Sequence, residues 1–402
     1  MKAQPIMEIE SIVTKLRQSP LFNLSLAAKE LFHSNFLAWL CETYPQHVGK
    51  FFATFINDPP ASYDRVKAYR ERNHIDLTLE YENAERLLIE NKVKSLPTLR
   101  QLREISDNVR KKDRDRTSFL LLTLVHPTFV TGTEQVGAFT AGDSAWLHIS
   151  YRAIGLFLKA LVPAVSELNS YHGTLLKDYV EFIEALDAFQ SRFAIDWDDD
   201  AGDFFVPDAM KQVRDIRLHD LVDKLRYEQL ARRVVDVLRG EAVCVEYGDL
   251  SSGKKRQSLH RAFPEAKVLV GSGMWHGVGQ AMCYYVVNVV GGPVMLELEL
   301  QAETLRIGVL MDDKGKAKDS ANALWQPSIG KRVWYDFGSV KGGLDEFPRS
   351  PKIFNQFSGI FFYRSVKLEA TSPKSLVQTI VRFMRLARDN EAVIRQQLEK
   401  AL

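Results

Sequence analysis

The first half of the chain contains two stretches of alternating or continuous apolar residues, separated by a short polar segment. From Ile75 to Glu80, isoleucine and leucine alternate with polar residues, which is the period-two pattern of a strand with one buried face. Glu82–Arg86 has the composition of a turn, and Leu87–Val93 has the pattern of a returning strand. Together these segments predict a β-hairpin.

The segments before this hairpin indicate helices followed by a strand. A short helix is predicted over residues 8–18, and Ser25 is placed to cap a second helix that runs through Leu26–Trp39. A further helix is predicted over 47–56, and Val66–Glu71 is interpreted as a strand. The predicted order is therefore helices and then three strands.

The segments after the hairpin predict a helix and then a buried strand. Pro97 suits the first turn of a helix that continues over Leu99–Lys112. Ser118–Val125 is a nearly continuous apolar run, as in a strand that is buried on both faces. One further strand and two helices follow, over Trp146–Ser150, 152–161 and 173–191.

An acidic stretch that contains glycine, Asp196–Asp203, separates this half from the second. Its composition indicates a boundary between domains. The sequence therefore predicts a first domain over 1–195, a linker over 196–209 and a second α+β domain over 210–402.

The second half has a long predicted helix at each end, over 210–239 and 373–400. Strands are predicted between them, over 242–247, 283–290, 294–300 and 304–311. Gly271–Gly279 lacks the lysine and serine that end a phosphate-binding loop, so it is interpreted as a flexible loop. Glu297–Gln301 alternates acids with leucines and predicts a strand with one solvent-exposed face.

The bulk composition is that of an ordinary globular protein. The chain has 402 residues, 46% hydrophobic and 26% charged, and domains of about 100–200 residues make two the expected number. The formal net charge of +2 neither supports nor excludes a nucleic-acid partner. Three widely spaced cysteines, no signal peptide and no membrane-length apolar run predict a protein of the reducing cytoplasm.

The predicted hairpin brings two acidic residues and a lysine together. With the turn centred on Asn83, Asp76 lies opposite Glu90, and facing side chains in antiparallel pairs are ~4.5–5.5 Å apart. Lys92 follows two residues after Glu90 and projects from the same face of the strand. An ion pair on an exposed strand is the competing interpretation of this pattern.

Two neighbouring carboxylates in an apolar strand repel each other, and a hard divalent cation relieves that repulsion. Magnesium favours carboxylate and backbone oxygens and retains several waters. Such an ion binds a phosphate oxygen and generates hydroxide from water. Lys92 is then placed to orient that water or to offset charge in the transition state, a combination that suits phosphodiester hydrolysis.

These residues resemble the motif of the PD-(D/E)XK nuclease superfamily, here Ile75-Asp76-Leu77 followed by Leu88-Ile89-Glu90-Asn91-Lys92. The resemblance implies an α/β (α+β) fold with a restriction-endonuclease-like αβββαβ core, a mixed sheet flanked by helices. It also implies that Asp76, Glu90 and the backbone carbonyl of Asn91 hold Mg²⁺, with Mn²⁺ as a substitute. Lys92 would be the catalytic lysine.

Two further segments extend the resemblance. Ser25–Leu40, which contains ELFHSNFLAWL, resembles the first-helix signature of an uncharacterised branch of the superfamily. That likeness implies that Glu30 joins the metal site, directly or through water, and it makes His33 a candidate substrate-binding residue.

The helix after Lys92 resembles the one in which RecB-like members carry a glutamine and then a tyrosine. Gln101 matches the glutamine, but Ile105 stands where the tyrosine would be. Gln101, Lys94 and Arg100 are therefore candidate substrate-binding residues.

The resemblance implies a Mg²⁺-dependent nuclease, with a DNA endonuclease in bacterial antiphage defence or DNA processing as the leading hypothesis. One alternative is a catalytically silent nuclease fold that binds nucleic acid or a protein partner, and another is an RNA-cutting effector. No membrane partner is expected. A homodimer and a regulatory partner of the C-terminal domain fit the hypothesis.

Overall fold

The structure, a computed structural model, describes most of the chain: residues 4–28, 30–72, 75–93, 96–109, 113, 116–241, 243–249, 263–311, 314–325, 334–335, 354–368 and 370–402. The chain divides into two units. Unit 1 comprises Met1–Phe193 and Lys211–Leu221, and unit 2 comprises Ala194–Met210 and Val222–Leu402. The division falls at the acidic stretch, while the predicted boundaries themselves stay a prediction.

The helices of unit 1 lie on both sides of its strands in the sequence. They are α1 Gln4–Gln18, α2 Pro20–Ala28, α3 Glu30–Thr43, a π-helical turn Pro45–Gly49, α4 Lys50–Ala53, α5 Leu99–Asn108, α6 Tyr151–Leu168 and α7 Ser170–Ser191. The strands are β1 Val66–Arg72, β2 Ile75–Tyr81, β3 Arg86–Lys92, β4 Thr117–Thr123, β5 Thr131–Gly132, β6 Val136–Ala141 and β7 Ser144–Ser150.

The strands of unit 1 form one mixed sheet in the order β1-β2-β3-β4-β7-β6-β5. The pairs β1–β2 and β2–β3 are antiparallel, whereas β3–β4 and β4–β7 are parallel. Every residue of β4 is buried, which explains its continuous apolar run. The predicted mixed sheet flanked by helices is thus confirmed, with α5 as the crossover between β3 and β4.

The β2–β3 hairpin has the register that the sequence predicts. Leu77 pairs with Ile89, and Thr78 pairs with Leu88, so the turn is centred on Asn83. Asn83 has a φ of 58°, and asparagine enters this left-handed region more readily than most residues. The predicted register is confirmed.

The ladder between these two strands ends before the strands do. Its last pair is Leu77 and Ile89, yet β2 begins at Ile75 and β3 continues to Lys92. Beyond the last pair, the carboxylate of Asp76 takes the place of a backbone acceptor on β2. The predicted site residues lie in this unpaired part of the hairpin.

Two local predictions in unit 1 are wrong, and one hairpin was not predicted. Ser25 does not cap a helix, because it lies inside α2 and its hydroxyl donates to the carbonyl of Phe22. Helix α5 begins at Leu99 rather than near Pro97, since Thr98 is its cap and accepts from the backbone N–H of Gln101. The β5–β6 hairpin was not predicted, because its short strands carry no clear alternation.

The described elements after Ser191 belong mainly to unit 2. The helices are α8 Pro207–Asp215, α9 His219–Arg239, α10 Lys314–Leu324, α11 Pro373–Asp389 and α12 Glu391–Ala401. The strands are β8 Val245–Asp249, β9 Val268–Trp275, β10 Val278–Val289, β11 Gly292–Gln301, β12 Thr304–Leu310, β13 Asn355–Phe357 and β14 Phe361–Lys367.

Unit 2 contains a second sheet, in the order β13-β14-β12-β11-β10-β9-β8. Its neighbours are antiparallel except for the parallel pair β8–β9. The main core of unit 2 contains Leu298 of β11, Val234 of α9 and Phe383 of α11. This arrangement confirms the predicted α+β class of the second half.

The glycine-rich segment 271–279 is not a flexible loop, so that interpretation is wrong. Its first residues complete β9, and a turn at His276 and Gly277 leads into β10. Both turn residues have positive φ, 50° and 75°, as two-residue hairpin turns require. Gly279 is needed because an added Cβ would lie 2.4 Å from the Tyr227 ring.

Other predictions for unit 2 also need correction. The helix predicted over 210–239 is two helices, separated where Arg217 has a φ of 55°. The helix over 373–400 is likewise two helices that meet at Asn390. Glu297 and Glu299 are buried, so this face of β11 is not exposed to solvent as the alternation suggested.

The cysteines and the membrane prediction can be compared with the structure in part. Cys41 and Cys283 are buried, Cys244 is exposed, and all three are free. Within the described ranges, no helix combines the length and the apolar character needed to cross a bilayer.

Candidate active site

The carboxyl-terminal end of β3 carries the predicted ExK residues. Because β3 lies between the antiparallel strand β2 and the parallel strand β4, Glu90 is only 3% exposed. The side chain of Lys92 is 11% exposed. A buried acid and a nearly buried lysine therefore lie two residues apart on one strand.

Glu90 is bound through one of its two carboxylate oxygens. Its Oε1 accepts from Lys92 Nζ at 2.6 Å and from Gln101 Nε2 at 3.0 Å. Its Oε2 is buried and has no hydrogen-bond partner among the described residues. Burying an acceptor without a partner costs about 1–3 kcal/mol, so this oxygen is suited to a ligand.

Asp76 is held by the backbone of the neighbouring strand. Its Oδ2 accepts from the backbone N–H of Asn91 at 2.7 Å. Burial raises the pKa of Asp76 above its ordinary value, although that hydrogen bond and the charge of Lys92 oppose the rise. The bond fixes Asp76 beside the strand that carries Glu90.

The electrostatics of the site are those of acids that repel one another. Burial raises the pKa of Glu90 to about 7, opposed by Lys92 and reinforced by the charges of Asp76 and Glu30. Burial would lower the pKa of Lys92, but Glu90 and the other acids raise it. The lysine is therefore held in its charged form, and a further cation would relieve the repulsion.

Glu30 is the first residue of α3 and is half-buried. Its charge contributes to the raised pKa values of Asp76, Glu90 and Lys92. Its backbone carbonyl accepts from Asn91 Nδ2 at 3.1 Å. The structure thus brings the predicted first-helix glutamate to the same corner of the sheet as the motif residues.

The side chain of Asn91 connects the site to two helices. Nδ2 also donates to Ser34 Oγ at 3.2 Å, and Oδ1 accepts from Tyr151 OH at 2.8 Å. Sequence reasoning missed Ser34 and Tyr151. Tyr151 lies 60 residues further along the chain, so no local spacing could have indicated this contact.

Two of the predicted substrate-binding residues have other partners in the structure, and a third lies outside the described chain. His33 is 1% exposed, and its Nδ1 lies 3.0 Å from Tyr179 OH among aromatic rings. Arg100 is exposed and pairs with Glu104 at 3.4 Å. Lys94 lies outside the described residues.

The donor set fits a hard divalent cation that keeps part of its water shell. Asp76 and Glu90 supply carboxylate oxygens, and Glu90 Oε2 is a buried acceptor with no hydrogen-bond partner among the described residues. Within the part of the chain that the structure describes, no three His, Cys, Asp or Glu side chains are grouped to enclose a metal ion. Water and backbone oxygen would therefore complete the coordination, as Mg²⁺ commonly requires.

The family comparison covers this whole arrangement. Residues 21–181 match the model of the PD-(D/E)XK nuclease superfamily, a range that includes all seven strands of unit 1. The match shows that this part of the chain is similar to that superfamily. Members of the superfamily generally use divalent metals and act on nucleic acid. No significant match was found among curated proteins or among solved structures.

Proposed function

We propose that unit 1 is a Mg²⁺-dependent nuclease, with Mn²⁺ as a possible substitute, whose active site is Asp76, Glu90 and Lys92. The observation that carries the proposal is the buried, unpartnered Oε2 of Glu90 beside a second, half-buried acid and a lysine. A metal site leaves one oxygen of such an acid for the ion.

In this proposal Asp76, Glu90 and the backbone carbonyl of Asn91 hold the ion. When bound, it polarises the scissile phosphate and lowers the pKa of a coordinated water. Glu30 adds a carboxylate, directly or through water. Gln101 holds Oε1 of Glu90 at 3.0 Å, which orients Oε2.

Lys92 supplies the mobile positive charge. Its Nζ lies 2.6 Å from Glu90, and neutralisation of Glu90 by a cation would free Nζ for the substrate. There the ammonium orients the attacking water and offsets charge that develops on the phosphate oxygens. A lysine whose pKa is raised by its acidic neighbours stays protonated for this role.

We propose double-stranded DNA as the substrate and antiphage defence or DNA processing as the setting. The edge strand β1 exposes three cationic side chains, Lys67, Arg70 and Arg72, next to β2. Exposed cations at an edge suit phosphate contacts. Arg100 adds a further cation near Gln101. A homodimer would present two active sites to the two strands, and the free thiols suit a reducing cytoplasm.

The test is cleavage of supercoiled plasmid, linear duplex, single-stranded DNA and RNA, with Mg²⁺, with Mn²⁺ and with chelator. Wild type is compared with Glu90→Ala and Lys92→Ala. Metal-dependent cutting of DNA that both variants lose supports the proposal. Cutting of RNA alone would favour the RNA-cutting effector. Nucleic-acid binding without any cutting would favour the silent fold.

We further propose that unit 2 recognises the nucleic-acid substrate through a groove of about 360 Å³ between α9 and α11. The groove is lined by four cationic side chains, one tryptophan and three valines. Its lining is Trp197, Asp198, Arg233, Val237, Lys374, Val377, Gln378, Val381, Arg382 and Arg385.

The cations of this groove differ in how they are paired. Lys374 binds Asp200 at 2.7 Å, and Arg385 binds Glu241 at 3.1 Å. Arg233 has no ion-pair partner among the described residues, so it is the best placed to contact a phosphate. Trp197 offers a ring on which a base can stack.

A further inference from the structure

Asn91 is the middle residue of the ExK segment, and it is 1% exposed. Its neighbours on the strand, Glu90 and Lys92, carry the proposed chemistry. An apolar residue would be the simplest occupant of a buried strand position, since burial of an amide requires that its polar atoms be satisfied. The contacts of this amide therefore call for a reason beyond packing.

The polar groups of Asn91 form hydrogen bonds with three different elements of unit 1. The backbone N–H donates to Asp76 Oδ2 on β2 at 2.7 Å. Nδ2 donates to the carbonyl of Glu30 and to Ser34 Oγ on α3, and Oδ1 accepts from Tyr151 OH on α6. One residue thus joins the strand of Asp76, the helix of Glu30 and a third element.

These bonds also fix which way the amide points. Tyr151 OH donates to Oδ1 at 2.8 Å, which leaves Nδ2 as the atom directed at the carbonyl of Glu30. A reversed amide would set Oδ1 against that carbonyl, and two acceptors repel. The carbonyl of Glu30, which can only accept, therefore selects this orientation, and the Tyr151 hydroxyl donates to the remaining amide oxygen.

We propose that Asn91 is a positioning residue that sets the distance between Glu30 and the pair Asp76 and Glu90, with Tyr151 holding its side-chain oxygen. This inference rests on the proposed function, because it concerns the same metal site. Glu30 acts on the site electrostatically from the start of α3. Its distance from the other acids depends on how α3 is attached to β3, and Asn91 provides that attachment through two hydrogen bonds.

Two buried tyrosines supply a matched test. Tyr151 OH contacts Asn91, whereas Tyr81 OH donates to the backbone carbonyl of Gly49 at 2.9 Å. Both side chains are buried, so Tyr151→Phe and Tyr81→Phe each delete one hydroxyl from the interior of unit 1. Only Tyr151→Phe removes a hydrogen bond to the side-chain amide of Asn91. Asn91→Leu removes the amide itself at similar volume.

The measurement is calorimetric titration of Mg²⁺ and of Mn²⁺ into each protein without nucleic acid, with thermal unfolding alongside. Loss of a group that orients metal ligands typically weakens metal affinity about 10–100-fold. We expect a loss in that range for Asn91→Leu, a smaller loss for Tyr151→Phe and wild-type affinity for Tyr81→Phe. With DNA as substrate, kcat should fall at fixed metal while KM stays near wild type.

Equal metal affinities for Tyr151→Phe and Tyr81→Phe would overturn the inference, and this comparison remains decisive if Asn91→Leu fails to fold. Loss of thermal stability in Tyr151→Phe with unchanged metal affinity would assign the network a structural role and overturn it too. Absence of metal binding by wild type is a distinct result, because it would overturn the proposed function itself.

Discussion

The sheets of the two units both bury acidic side chains, but they neutralise them differently. In unit 1, Glu90 is bound through one oxygen to Lys92 and Gln101, and its other oxygen has no partner among the described residues. In unit 2, Glu299 pairs with Arg306 from the adjacent strand, and Arg306 also donates to Gln301 at 2.6 Å. In the second arrangement the counterion of the buried acid is an arginine.

This difference suggests how to separate a structural acid from a proposed metal ligand. An arginine has five donors in a fixed fork and holds its charge permanently, so a glutamate paired with it has little to offer a cation. A lysine is a single mobile charge that can leave. Burial of an acid is therefore a weaker sign of function than the identity of its counterion.

The largest expected effect concerns catalysis. Glu90→Ala and Lys92→Ala should each lower the cleavage rate by at least ~100-fold, the scale for loss of a group that stabilises a transition state. Glu299→Gln removes a buried acid from the other sheet and should leave the cleavage rate within about twofold in protein that remains folded. The rates are measured on one duplex at saturating Mg²⁺.

A comparable loss of cleavage in folded Glu299→Gln would contradict the distinction between the two acids, because Glu299 would then take part in the reaction. Circular dichroism and thermal unfolding of each variant show whether it is folded. Addition of Mg²⁺ should raise the melting temperature of wild type but not of Glu90→Ala, since a ligand stabilises only the state that binds it.

The next effect concerns stability in unit 2. Arg306→Ala leaves Glu299 buried without its cation, and loss of one partner of a buried pair costs about 3–5 kcal/mol. The Arg306 side chain is 21% exposed, so we expect about 3 kcal/mol less free energy of unfolding. Urea denaturation measures this change, and Mg²⁺ should not reverse it.

The double variant Glu299→Leu/Arg306→Met serves as its control. Replacement of both partners by apolar residues of similar size is often nearly neutral, so much of the lost stability should return. A double variant as unstable as the sum of both single variants would show that the two side chains contribute independently rather than as a pair.

A smaller effect depends on pH. Partial burial would raise the pKa of Glu391, but hydrogen bonds from Lys267 and Tyr285 outweigh it, and the pKa is lowered. Ionised Glu391 therefore stabilises the fold above its unfolded pKa, and that contribution is lost as pH falls through the lower folded pKa. Glu391→Gln should cost about 1 kcal/mol at pH 7.

The difference in unfolding free energy between wild type and Glu391→Gln should shrink as the pH is lowered from 6 towards 3. Denaturation series at several pH values measure it. A difference that does not depend on pH would mean that Glu391 contributes through packing rather than through its charge.

The smallest effect concerns the groove of unit 2. Arg233→Ala should weaken binding of a DNA strand a few-fold and lower the slope of log affinity against log salt by about one, as expected for one lost phosphate contact. The matched control is Arg232→Ala on the same helix, since Arg232 lies over the Tyr247 ring and outside the groove lining. Equal losses for both variants would contradict a role for the groove.

The site could be predicted because its geometry is local. Alternation from Ile75 to Glu80 and a turn at Asn83 are sufficient to place Asp76, Glu90 and Lys92 near one another. The bond from Tyr151 to Asn91 depends instead on how α6 packs against the sheet, and residues so far apart in sequence show no joint pattern.

The fold of unit 2 was harder to predict because its glycines have a packing function. Gly279 lies against the Tyr227 ring, where a Cβ would be 2.4 Å from the ring edge. Glycine in a strand marks such a close approach, yet in sequence it resembles a loop. The burial of Glu299 was missed for a similar reason, since alternation does not reveal what covers the polar face.

The early end of the β2–β3 ladder has a consequence for the shape of unit 1. Beyond the pair Leu77 and Ile89, the backbones of the two strands no longer pair. The backbone N–H of Asn91 donates to the carboxylate of Asp76 instead of to a backbone carbonyl. The unpaired ends of β2 and β3 are thus linked by the side chain of Asp76. A small ion bound between these ends would add a second link between the two strands.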